Sequence, residues 1–322
     1  MTSISLSILI MNKPLCTSQL PSLKRKMTSN LPRSLRYYQK GILHSEAWFS
    51  IVENDYTKIL GAVNWDSLFP EQNAGYQVLD IGCGPGRFPR LLQAWLPSTI
   101  RLHYDYFDPS HYCLSTCGQS LRLPFLPRHA WQTTWDNAEK FLTPGSYDVA
   151  WAIQSFSCLD HAALHTSLSR LIGTLHPSRG TACIVLAKQE AFFSQLHHTF
   201  FQECSPHAPM PYLSAESVVA VLEKLEAFIT IREIACTHSI SIRHDRLLEQ
   251  YLQQVVLDST PLPNWMKHPR LRQLVESCRH GDTYHFTNPY WLILCTPASA
   301  GAGGRLRLQQ YLTSVTSCKL AS

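Results

Sequence analysis

The stretch Val78-Leu79-Asp80-Ile81-Gly82-Cys83-Gly84-Pro85-Gly86 constrains this chain more than any other. A short apolar run, readable as a buried strand, ends in three glycines at alternate positions, and a helical pattern from Phe88 to Leu96 follows at once. A strand running through a glycine turn into a helix brings backbone close to a ligand, where a Cβ would collide. Gly82, Gly84 and Gly86, with the strand acid Asp80, therefore read as a loop for a nucleotide-like cofactor. Spacing excludes two versions of such a loop. A dinucleotide fingerprint needs its third glycine where Arg87 stands, and a phosphate-binding P-loop needs a terminal Gly-Lys-Ser/Thr that is absent.

The ligand left by this elimination is S-adenosylmethionine (SAM), whose adenosine carries no phosphate and whose tail bears an ammonium and a sulfonium. Asp80 beside the glycines suits that cation. The pattern D-x-G-x-G-x-G followed by a helix resembles motif I of the class I SAM-dependent methyltransferases. That resemblance implies a Rossmann-like, doubly wound seven-stranded sheet with an N-terminal helical cap.

Charge and cysteine usage narrow the partners. The net charge of +5 suggests a polyanion partner until it is located. Residues 1–45 hold seven Lys/Arg and no acid, and residues 298–322 hold three and no acid, leaving 18 basic against 23 acidic residues in 46–297. The body of the chain is thus mildly acidic, which argues against nucleic acid. The 11 cysteines form no C-x-x-C pair, and the 15 histidines include no H-E-x-x-H, so free thiols in a reducing compartment and no metal are expected. The apolar run from Ile4 to Met11 is too short to span a membrane. Residues 1–34 read as a disordered basic leader, with Met27 as an alternative start, and a cytoplasmic monomer is the expectation.

Further along, Leu35 to Leu60 has an aromatic-rich helical face and contains His44-Ser45-Glu46, with the first acid of the chain. A second strand from Ile100 ends in Asp108-Pro109-Ser110, which places Asp108 at the carboxyl end, where it can accept ribose hydroxyls. Residues Arg128 to Thr133 read as a third strand, followed by Trp135-Asp136-Asn137, and Tyr147 to Gln154 as a central strand with a polar end. In the methyltransferase class the polar residues after strand three meet the adenine, which implies Asp136 or Asn137. Ile153 and Gln154 would open beside the sulfonium methyl. Thr181 to Ala187, Phe228 to Cys236 and Phe286 to Leu294 complete a mostly parallel sheet whose final pair is hairpin-like. Residues 35–297 form the expected domain, with Pro261 to about residue 281 as an insertion or lid and 298–322 as a flexible tail.

Four short matches in order, His44-Ser45-Glu46, Asp108-Pro109-Ser110, Ile153-Gln154 and Phe286-Thr287-Asn288, resemble the histamine N-methyltransferases over roughly residues 35–296. The resemblance implies that Glu46, Gln154 and Asn288 hydrogen-bond an amine substrate, while Gly82, Asp108 and Ile153 hold the cofactor. The residue types agree, since a carboxylate suits an ammonium and amides both donate and accept. Ser157 and Cys158 stand where that family carries aromatic residues, and Phe192-Phe193 where it carries a tryptophan. The expected activity is methyl transfer to a small amine or imidazole. Its rivals are another acceptor, such as a carboxylate, phenol or protein side chain, and a non-catalytic SAM-binding or interaction protein.

Overall fold

A computed structural model describes residues 45–70, 75–204 and 212–313. The elements are α1 (Ser45–Ala62), α2 (Trp65–Leu68), β1 (Tyr76–Ile81), α3 (Arg87–Leu92), β2 (Leu102–Phe107), α4 (His111–Ser120), β3 (Phe125–Trp131), β4 (Val149–Ile153) and α5 (Leu164–Thr174). They continue with β5 (Thr181–Ala187), α6 (Phe192–Cys204), α7 (Ala215–Lys224), β6 (Phe228–Ser241), α8 (Asp245–Val256), α9 (Leu262–Trp265), α10 (Pro269–Glu276), β7 (Arg279–His280), β8 (Thr283–Thr296) and α11 (Gly301–Gln310). The leader 1–34 lies outside the described residues.

One sheet runs β3-β2-β1-β4-β5-β8-β6, with the two-residue β7 paired to β8. Strands β1 to β5 pair in parallel, and β8 is antiparallel to both β5 and β6. This is the doubly wound α/β sheet expected from the sequence. Its strands alternate strictly between two cores. Val78, Val149, Trp151, Cys183 and Val185 face one side, and Leu79, Ile81, Ala150, Ala152, Ile184 and Leu186 the other. Strand β5, buried along its whole length, shows why both faces must be covered by helices. The chain order reverses between β1 and β4, so a crevice opens at their carboxyl ends, where such sheets bind ligands.

Of the sequence expectations about the second half, that of a flexible tail is corrected over 298–313, while residues 314–322 lie outside the described residues. The segment around Trp265 is folded onto the body: Trp265 is buried and packs on Phe200 of α6 at a centroid distance of 4.6 Å. The expected flexible tail is helical over Gly301–Gln310, and Leu308 and Tyr311 are buried. It is pinned beside α1 by Asn64 N–H donating to the Tyr311 carbonyl at 2.8 Å and by Thr313 Oγ1 donating to the Gly61 carbonyl at 3.0 Å. Strand β6 also runs past Cys236 to Ser241, because residues 237–241 pair with Thr283–Thr287 of β8. Among the described residues no helix is long and apolar enough to cross a membrane.

Candidate active site

The glycine loop turns on three left-handed residues, Gly82 (φ +71°), Gly84 (φ +53°) and Gly86 (φ +77°). The three have different reasons. A Cβ on Gly82 would lie 2.7 Å from the Ser155 Cβ, and one on Gly86 would lie 2.8 Å from the Cys117 Cα, so packing forbids side chains there. A Cβ on Gly84 would meet nothing within 4 Å, because this residue borders open space. The loop is closed on β2 by Gly82 N–H and Cys83 N–H, which both donate to the Phe107 carbonyl at 3.0 Å.

Two carboxylates flank the loop. Asp108 accepts from Gly84 N–H at 3.0 Å and from Ser110 N–H at 2.8 Å, while the Ser110 side chain caps α4. Burial lifts the Asp108 carboxyl to about 6, partly offset by those two backbone donors. Asp80 is buried and takes the Tyr104 hydroxyl. Burial lifts its carboxyl to about 7, with the Tyr104 bond pulling the other way. Two buried carboxylates that are costly to ionise alone form a ready cradle for a cation.

Both carboxylates and the loop line a cavity of about 270 Å³ at the carboxyl ends of β1 and β4. Much of the rest of its wall is aromatic, with Trp48 of α1, Phe193 of α6 and Tyr212, while Phe49 and Tyr56 of α1 stand near Arg87. Trp48 stacks on Phe193 and on Tyr251, each at 5.5 Å. Arg87 joins the two ends: it pairs with Glu53 of α1 and lies over the Phe49 ring at 5.2 Å.

Ile153 and Gln154, at the end of β4, are on the cavity wall beside the loop. Gln154 holds a left-handed backbone (φ +58°), and its Nε2 is buried with no hydrogen-bond partner. Strain and an unmade bond in one residue are the marks of a position kept for a ligand.

Of the residues picked from the sequence, the structure brings Asp80, Gly82, Gly84, Asp108, Ile153 and Gln154 to this cavity. Gly86 shapes the loop from behind. Glu46 falls in the first turn of α1, and its side chain lies outside the described residues. Asn288 is a correction. It is fully buried in β8 and absent from the cavity wall: its Oδ1 accepts from Phe193 N–H at 2.9 Å and its Nδ2 donates to the Phe286 carbonyl at 3.3 Å. It therefore fixes the start of α6, and with it Phe193. Asp136 is a second correction. Its neighbour Trp135 turns inward, stacks on Phe107 at 5.7 Å and donates to the Ser167 carbonyl, which leaves Asp136 exposed and off the cavity wall.

Beneath the aromatic end lies a buried polar cluster. Asp55 of α1 bonds His238 Nε2 at 2.7 Å and takes the Tyr290 hydroxyl at 3.0 Å, while His238 Nδ1 meets the Tyr251 hydroxyl at 2.8 Å. It ties α1, α8 and the β6/β8 pair together. No sequence motif announced it. Gln254 of α8 was also missed, although a glutamine pair inside the run Gln253-Gln254-Val255-Val256 puts an amide on a buried face.

No family model and no curated protein matches this chain. Solved structures do resemble it. A SAM-dependent methyltransferase from Thermotoga maritima, described as a possible histamine N-methyltransferase, is 14% identical over 82% of this chain and 99% of that one, with a TM-score of 0.43. The cyclopropane synthase of Mycobacterium tuberculosis is 16% identical over 87% and 100%, with a TM-score of 0.46. A SAM-dependent methyltransferase from Leishmania major is 12% identical over 85% and 89%, with a TM-score of 0.44. At these values the functional reading rests on the loop, the carboxylates and the cavity themselves.

Proposed function

We propose that this protein transfers a methyl group from SAM to a nitrogen of a small amine or imidazole compound. The observation that carries the reading is Gln154, strained and with an unpartnered amide nitrogen, standing beside a glycine loop that borders open space at Gly84. The residues fit the cofactor: Gly84 leaves room for it, Asp108 is placed for ribose hydroxyls, and Asp80 supplies a carboxylate for the cationic tail. Bound there, SAM would supply an already activated methyl group on its sulfonium.

The chain's own contribution is then positioning in a water-poor cavity. Trp48 and Phe193, stacked on one another, offer an aromatic wall to a planar acceptor, and the Gln154 amide sets its angle at the β4 end. No strong base is needed for a neutral imidazole nitrogen, whose lone pair is free to react. Incubation with methyl-labelled SAM and a panel of small amines that includes histamine, with products identified by mass, tests the proposal. Label on an amine or imidazole nitrogen is the expected result. SAM binding without transfer to any member of the panel contradicts it.

A further inference from the structure

Arg87 follows Gly86 directly, opens α3 and lines the cavity, with its side chain 18% exposed. As it stands it is under-paired. One terminal nitrogen meets Glu53, whose side chain is 53% exposed, the guanidinium lies over the Phe49 ring at 5.2 Å, and Nε is buried with no hydrogen-bond partner. A guanidinium offers five N–H donors in a planar fork, and a bond to a half-exposed carboxylate is held weakly because water replaces either partner. Glu53 therefore keeps Arg87 at the wall without exhausting it.

The chemistry of the missing partner follows from the other charges. The described wall holds two carboxylates, Asp80 and Asp108, and one guanidinium, Arg87, while its histidine, His197, packs on Phe201 at 4.6 Å and on Tyr212 at 5.0 Å. Tyr56 of α1 reports where two of these charges lie. Its phenol is pushed up by burial and then by Asp55, pulled down by Arg87 and pushed up by Asp80, so Arg87 and Asp80 both stand near it and present opposite signs at that part of the wall. A ligand group with an ammonium and a carboxylate on one carbon matches that pair. Such a carboxylate is repelled by Asp80 and Asp108, and in a cavity of low dielectric it is costly unless a cation meets it. Arg87 is that cation.

We infer that Arg87 is a specificity-determining residue of the cofactor site, and that its guanidinium takes the carboxylate of the amino-acid tail of SAM while Asp80 takes the ammonium. This deepens the methyltransferase proposal and rests on it, because the tail is that of the proposed cofactor. Arg87, which excludes a dinucleotide fingerprint by standing where a glycine belongs, thereby gains a positive role. Its rival role is that of a brace, tying α1 to the loop through Glu53 and nothing more. The two roles part on Glu53: a brace fails when either partner is removed, whereas a carboxylate receptor needs Arg87 alone.

The test is calorimetric titration of the full-length protein at about pH 8, above the values of about 7 and about 6 to which Asp80 and Asp108 are raised. The probes are S-adenosylhomocysteine and its decarboxylated counterpart, 5′-deoxy-5′-(3-aminopropylthio)adenosine, which keeps the ammonium and lacks the carboxylate. The wild type is expected to favour S-adenosylhomocysteine roughly tenfold or more. Arg87→Met is expected to bring that preference below about twofold, with affinity for the decarboxylated probe within about twofold of wild type. Glu53→Gln, which removes the same bond from the α1 side, is expected to keep the preference. Equal binding of the two probes by the wild type, a comparison that needs no variant, overturns the inference and leaves the methyltransferase proposal standing. So does a preference that survives in Arg87→Met, and so does one that is lost in Glu53→Gln, which would make Arg87 a brace. Binding of neither probe overturns the methyltransferase proposal and the inference with it.

Discussion

At the glycine-loop end of the cavity, Asp80 takes the Tyr104 hydroxyl and Asp108 takes two backbone N–H groups, whereas Gln154 at the end of β4 and Gln254 of α8 each leave a buried amide atom unpartnered. The first end is built to completion before any ligand arrives and carries its charges in fixed places. The second is finished only by what enters it, and it is held from below by the cluster of Asp55, His238, Tyr251 and Tyr290. A rigid cradle suits a cofactor of constant chemistry, and an unsatisfied pocket suits selection among acceptors.

The largest expected effect comes from breaking the support of the aromatic end. Asp55→Ala leaves His238 Nε2 and the Tyr290 hydroxyl without their partner in the core, and each buried polar group so stranded costs about 1–3 kcal/mol. Denaturant unfolding measures it. A cost below about 1 kcal/mol would mean that the cluster does not anchor α1.

Gly82→Ala strikes the other end. With φ at +71° and a Cβ 2.7 Å from the Ser155 Cβ, it combines strain and overpacking, together about 2–4 kcal/mol, and SAM binding is expected to vanish. Gly84→Ala sharpens the contrast within the loop, since its Cβ meets nothing within 4 Å. Its melting temperature should fall little, the φ penalty being about 1 kcal/mol, while SAM affinity drops roughly tenfold because the new methyl enters the ligand's space.

The two carboxyls give the glycine-loop end a pH dependence of defined sign. Asp80 and Asp108 are raised from 3.8 to about 7 and about 6, so the cofactor-free fold holds these protons more tightly than the unfolded chain does. Their contribution to stability is complete below pH 4 and is lost as pH rises through 6 and 7. A cationic ligand prefers the ionised forms, so SAM affinity should rise from pH 5 to 8 and level off above about 7, with protons released on binding at the lower pH. Calorimetry in two buffers of different ionisation enthalpy counts those protons; affinity that is flat with pH would remove the carboxyls from the binding step. The smallest effect belongs to Glu53→Gln, because Glu53 is 53% exposed and its bond to Arg87 is worth about 1 kcal/mol or less.

These contrasts also explain what could be read from the chain. The glycine-loop end is local: glycines at alternate positions force the turn, and an acid at the end of the next strand reaches it, so Asp80, Gly82, Gly84 and Asp108 stand together in both sequence and structure. The sheet was legible for the same reason, since a buried parallel strand such as Thr181–Ala187 is a continuous apolar run. The aromatic end is assembled from α1, α6, α8 and the end of β4, elements far apart in sequence, and no spacing rule connects Trp48, Phe193 and Gln254. Asn288 illustrates the limit of short matches. The strand was placed correctly, but the face that a strand residue takes depends on register, and this one points at α6 and His238. The glycine- and alanine-rich start of Gly301–Gln310 hid a helix whose stability comes from burying Leu308 against the sheet.

On the proposed function, one end of the cavity holds the methyl donor and the other orients the acceptor, with Gln154 on the acceptor side of the boundary. The most direct test is turnover and SAM affinity measured on the same preparation of Gln154→Ala, using whichever amine the wild type methylates. Turnover is predicted to fall about a hundredfold, the effect of a misplaced acceptor, with SAM affinity within about twofold of wild type. Equal losses in both would place Gln154 in the cofactor cradle, and unchanged turnover would remove it from the reaction; either result contradicts the account.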